Sequence, residues 1–255
     1  METGDINLYR KGVSMTTNNT KQGLPTYRMH AILTGILFLL TDITAIAGLL
    51  LYQPLLTNPL FITTLNVNQN PILLGTLLEI ILAACGAGTA LVLYPILKKQ
   101  NQSLALGYVI FRAIESIIIL IGVMCMLTAL ALRADFLAVG GDITMYQTIG
   151  KALVTLQKWT FIFGPNIILP INATMLGYLL FKSKLVPRVI SSLYLFDAPI
   201  LFIASMWIVF GVYPQTTPFA IIIAMPLLAF EVLFSLYLII KGFNRPALET
   251  LESKN

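Results

Sequence analysis

Seven ionisable side chains interrupt the long apolar runs of this 255-residue chain: Asp42, Glu79, Arg112, Glu115, Lys158, Asp197 and Glu231. Each is costly in hydrocarbon, so such groups pair with one another, hold a proton or cation, or face a water-filled cavity. Arg112 and Glu115 are spaced i, i+3, which places them on one helix face where they can pair directly. One guanidinium neutralises one carboxylate, or two at most. Asp42, Asp197 and Glu231 are then left without a cation inside the spans. Buried carboxyls in that position either take up a proton or hold an external cation. The same groups could instead serve only as hydrogen-bond partners that fix one helix against another. Both readings stay open at this point.

The elements that must position these groups follow from composition. Hydrophobic residues make up 57% of the chain and charged residues 11%, with a mean hydropathy of +0.85. A soluble domain carries about 25% charged residues. This balance excludes a soluble globular domain, a disordered chain, a disulfide scaffold and a nucleic-acid-binding domain. A bilayer core needs about 20 apolar helical residues. Six segments meet that length, at 31–52, 72–97, 104–132, 153–181, 189–212 and 218–240. The fold class is therefore all-α, a polytopic membrane bundle of six transmembrane helices (29–242) between polar tails at 1–28 and 243–255. Only the connections at 53–70 and 133–152 are long enough to lie along a surface.

Basic residues set the orientation, because cytoplasmic loops carry the excess of Lys and Arg. One side holds Arg10, Lys11, Lys21, Arg28, Lys98, Lys99, Lys182, Lys184, Arg188, Lys241, Arg245 and Lys254, and the other only Arg133 and Lys151. Both termini are expected in the cytoplasm. The net charge of +5 is then explained by topology, with anionic lipid at the cytoplasmic face as its partner and no nucleic acid. At 1.5 Å per residue, Arg112, Glu115, Glu231, Asp197 and Asp42 fall in one layer roughly 12–18 Å from the basic end. Glu79, roughly 28 Å from that end, belongs to another environment near the far boundary. Lys158 also lies toward the far end, and the two form a possible second site.

The fourth span holds Pro165 and Pro170 beside Asn166 and Asn172. Two prolines in six residues should kink or interrupt a helix, and inside a bilayer such a break is tolerated only against protein or a water-filled cavity. Carriers use discontinuous helices in this way, which brings Asn166 into the candidate site. In the second span, Ala84 and Gly88 have small-xxx-small spacing and favour close packing. Cys85 and Cys125 read as small hydrophobes. His30 is the only histidine, so multi-histidine metal sites and histidine triads are unavailable within one chain. No phosphate-binding loop, nucleophile elbow or dinucleotide turn is present, and no cofactor is evident.

Several stretches together resemble a family of bacterial integral membrane proteins known as domain of unknown function 4386. They are Ala31 to Gly35, Leu74 to Glu79, Ala105 to Tyr108 leading to Arg112 and Glu115, and Gln157 to Phe161. Leu176 to Tyr178 before Leu185 to Arg188, then Phe230 and Glu231 followed by Ile240 to Phe243, complete the set. The resemblance implies a multi-pass protein of the bacterial inner membrane and carries no activity with it. Three functions fit the residues. The first is a small carrier in which Glu115, Glu231, Asp197 and Asp42 bind a proton, cation or small lipophilic ligand, with Arg112 poising Glu115. The second is a sensor, scaffold or immunity-type protein whose charges only hold helices together. The third is a membrane-embedded lipid-modifying enzyme, for which no catalytic motif is found.

Overall fold

The structure is a computed structural model that describes residues 5–58, 60–64, 68–214 and 218–253. Six helical rods pass back and forth. They are built from α1 (Asp5–Thr57), α2 (Asn70–Leu97), α3 (Gln102–Val139), α4 (Ile143–Phe161), a π-helical segment (Ile162–Ile168), α5 (Leu169–Ser183), α6 (Arg188–Val209) and α7 (Pro218–Ile240). A short α8 (Arg245–Glu252) follows, and no strand is present among the described residues. All six rods are long and apolar enough to cross a membrane. Each rod packs on its chain neighbours, and α7 returns to α1 to close the ring.

Local sequence sets most of the ends. Asn101 caps α3 by accepting a hydrogen bond from the Leu104 N–H at 3.0 Å, and Asp142 caps α4 by accepting from the Thr144 N–H at 2.8 Å. The connection expected at 133–152 shrinks to 140–142, because α3 continues to Val139 and α4 begins at Ile143. Gly140 (φ 72°) and Gly141 (φ 139°) make that sharp reversal, in backbone regions that favour glycine.

The fourth rod does not break at its prolines. Around Pro165 the helix widens into π geometry and then resumes as α5, with Pro170 in its first turn. Because the rod is continuous, each proline withholds one N–H from its hydrogen-bond ladder, and the π segment absorbs that irregularity without opening the chain. The expected interruption is thus a wide turn, packed against α3, α5 and α6.

The sequence offers no long apolar run after residue 243, yet α8 folds under the bundle at its basic end. Ala247, Leu248 and Leu251 are buried in the main core with Leu180 and Leu185. The Asn244 N–H donates to the Leu185 carbonyl at 2.9 Å. The Tyr27 hydroxyl donates to Glu252 Oε1 at 2.5 Å, and Lys99 Nζ lies 3.4 Å from the same oxygen. The hydrogen bond from Tyr27, followed by that from Lys99, holds the Glu252 carboxyl below the usual carboxylate range.

Close helix approach depends on glycine at few places. A Cβ on Gly177 of α5 would lie 2.8 Å from the Leu195 nitrogen and 2.9 Å from its Cα on α6. Backbone cannot rotate away as a side chain can, so Gly177→Ala is expected to push α5 off α6 and cost about 1–3 kcal/mol. Unfolding of the purified variant in detergent measures this, and a midpoint equal to wild type would contradict the packing.

Candidate functional site

The buried charges of the third rod meet at the centre of the ring. Arg112 Nη1 donates to both Glu115 oxygens, at 3.2 and 3.0 Å, and Arg112 Nε donates to the Gly86 carbonyl of α2 at 3.3 Å. From α5, Asn172 Nδ2 donates to Glu115 Oε2 at 2.7 Å. The Phe38 ring of α1 lies 5.7 Å beneath the guanidinium carbon, which gives the cation an aromatic face in place of water.

A second half of the cluster spans α6, α7 and α1. The Tyr194 hydroxyl donates to Glu231 Oε1 at 2.9 Å. Asp42 faces Glu231 closely enough for the two carboxyls to interact directly, and Arg112 acts on both from farther away. Asp42 Oδ2 is buried with no hydrogen-bond partner among the described residues. Stacked rings of Tyr194, Phe230 and Phe234, with Phe38 edge-on to Phe234, flank these groups. Arg112, Glu115 and Glu231 are all buried. Like charges in such surroundings cannot both persist at modest cost, which makes a facing pair of carboxyls a candidate place for a proton or a cation.

The structure joins four of the expected residues, Arg112, Glu115, Glu231 and Asp42, and places the others elsewhere. Asp197 is buried, but it lies against the backbone of Leu227. That residue follows Pro226, whose ring disturbs the α7 hydrogen-bond ladder. Asn166 lies in the π segment, half-buried, and Asn172 supplies the amide that reaches Glu115. Lys158 is exposed, so it does not pair with Glu79; the neighbouring Gln157 turns inward instead. Tyr194 and Asn172 are the polar partners that the sequence reading left out of the site. A tyrosine one turn before Asp197 was the available signal, because a mid-span hydroxyl needs a partner where phenylalanine would not.

A family model described as Domain of unknown function (DUF4386) matches residues 33–242. The chain belongs to this family. The matched stretch holds every member of the central cluster. No curated protein and no solved structure matches the chain. Among the described residues no three histidine, cysteine or carboxylate side chains converge to hold a metal ion.

Proposed function

We propose that this DUF4386 protein is a small proton-linked carrier of the bacterial inner membrane, with both termini in the cytoplasm. In this reading the Asp42–Glu231 pair holds the exchangeable proton. The observation that carries it is the division of labour in the cluster. The one guanidinium at the site is already bonded to Glu115, while a pair of carboxyls, on α1 and α7, faces each other with no cation of its own among the described residues. A hard divalent cation takes six or more oxygen ligands, so two carboxyls suit a proton better. The pair also bridges the first and last rods of the ring, and protonation can therefore alter the α1–α7 contact. Helix ends and loops rich in Lys and Arg face anionic lipid on the cytoplasmic side.

Infrared difference spectra of the protein in lipid nanodiscs test the site. A protonated-carboxyl band that titrates with pH is expected in wild type, lost in both Glu231→Gln and Asp42→Asn, and retained in Asp197→Asn. Proteoliposomes with an imposed pH gradient then screen for substrates whose uptake the same two variants abolish. A band that survives in both variants would remove the proton from this pair. The burial of the cluster also favours a second reading, in which the charges only hold the rods together. That reading expects both variants to unfold more easily with no titrating band at all.

A further inference from the structure

We infer that a second site, separate from the Asp42–Glu231 pair, binds an amine carried on a compact apolar body. A cleft of about 180 Å³ lies between α1, α2, α3 and α4, toward the end of the bundle away from the termini. Its walls are apolar, and its polar groups are Glu79, Gln157 and Thr160. Gln157 is 2% exposed, and its Oε1 is buried with no hydrogen-bond partner among the described residues. The Thr160 hydroxyl is already committed to the Gln157 main-chain carbonyl at 2.7 Å. The cleft thus offers the Glu79 carboxyl, which the Tyr52 hydroxyl also approaches, and beside it the Gln157 amide, whose oxygen has no partner among the described residues. An ammonium supplies donors to both and adds a charge-assisted bond to Glu79. An alcohol could satisfy one acceptor only.

The apolar part of the ligand follows from the mouth. Ile46 and Leu49 line the cleft and are also exposed on the surface of the bundle. In a spanning helix that surface meets lipid tails, so a ligand enters from the membrane and must be lipophilic enough to reside there. The floor comes within one helical turn of the central cluster, since Ala45 and Ile46 follow Asp42 by three and four residues and Ile119 follows Glu115 by four. Lys158, the basic residue expected beside Glu79, is exposed and outside the lining. Gly122 keeps the far wall close, because a Cβ there would meet Thr160 Oγ1 at 2.5 Å.

Binding of 1-adamantylamine, with 1-adamantanol as its neutral counterpart, tests the site on full-length protein in nanodiscs. The amine should raise the unfolding temperature of wild type and the alcohol should not. Glu79→Gln should weaken amine binding at least about tenfold, the equivalent of one charge-assisted bond. Ala45→Phe fills the cleft without touching Glu79, so it guards against a folding defect in the first variant and should also abolish the shift. Glu231→Gln should bind the amine as wild type does, which separates this site from the proton pair. Equal shifts with amine and alcohol, no shift with either, or full binding by Glu79→Gln or by Ala45→Phe would each overturn the assignment.

Discussion

Replacing Glu115 with leucine is expected to destabilise the bundle by about 3–5 kcal/mol, the cost of leaving one member of a buried ion pair alone. It should exceed the cost of Arg112→Leu. The two partners are unequal because a carboxyl abandoned by its cation can take up a proton, whereas arginine remains charged at any working pH. With Glu115 gone, Arg112 keeps its charge, its bond to the Gly86 carbonyl and its place over Phe38, and it loses both carboxylate bonds. The nearest remaining anions are Glu231 and Asp42. Their negative charge near Arg112 limits the damage, so adding Glu231→Gln to Glu115→Leu should cost more than the sum of the two single changes. The double variant Arg112→Leu/Glu115→Leu should recover most of the loss, since buried pairs replaced by apolar residues are often near neutral. Because the pair is i, i+3 on one helix, it persists when the rods separate within the lipid. The coupling between 112 and 115 is therefore felt through α2 and α5, by way of Gly86 and Asn172. Unfolding midpoints of the three single and two double variants in one detergent check all of this. Arg112→Leu proving the worse single change would contradict the argument.

The six rods were legible because a bilayer imposes a length and a hydropathy that no soluble helix of this composition shares. Arg112 and Glu115 were legible for a similar reason, since i, i+3 spacing fixes a shared face whatever the helix packs against. What failed at several positions was the rotation about a helix axis. Gln157 and Lys158 are adjacent and point about 100° apart on an α-helix; hydropathy cannot say which faces inward, and charge suggested the wrong one. Asn166 and Asn172 were separated by the same ambiguity, compounded by the π segment, which resets the helical phase just before α5. The run from 133 to 152 is polar enough to read as a loop, yet its backbone bonds continue as helix on either side of two glycines. The eight residues of α8 are too few to signal a span, and only the packing of Leu248 and Leu251 under the bundle shows their role.

Arg133 carries the other large expected effect, and here too sequence misplaced it, as a loop charge counted for topology. It lies within α3, 2% exposed, and its Nη1 donates to the carbonyls of Phe61 at 2.7 Å and Ile62 at 3.3 Å, and also to that of Thr64. Those carbonyls belong to residues 60–64 between α1 and α2, a described stretch of turn with no helix or strand to satisfy them. The same stretch inserts Phe61 and Ile62 into a second apolar core with Tyr52, Met126, Leu130 and Val154. The guanidinium thus acts as a tether, since its planar fan of donors meets several acceptors where a single ammonium meets fewer. Arg133→Met keeps the aliphatic stem and removes every donor. Hydrogen bonds to a charged group contribute about 1.5–3 kcal/mol each, but an undocked segment at this end regains water for its carbonyls, so the net loss should be about 2–3 kcal/mol. The expected signature is local before it is global: protease added from that side should cut between 58 and 64 in Arg133→Met at concentrations that leave wild type intact. Arg133→Lys should fall between the two. Resistance equal to wild type in Arg133→Met would mean that Phe61 and Ile62 hold the segment by burial alone and that the tether is dispensable.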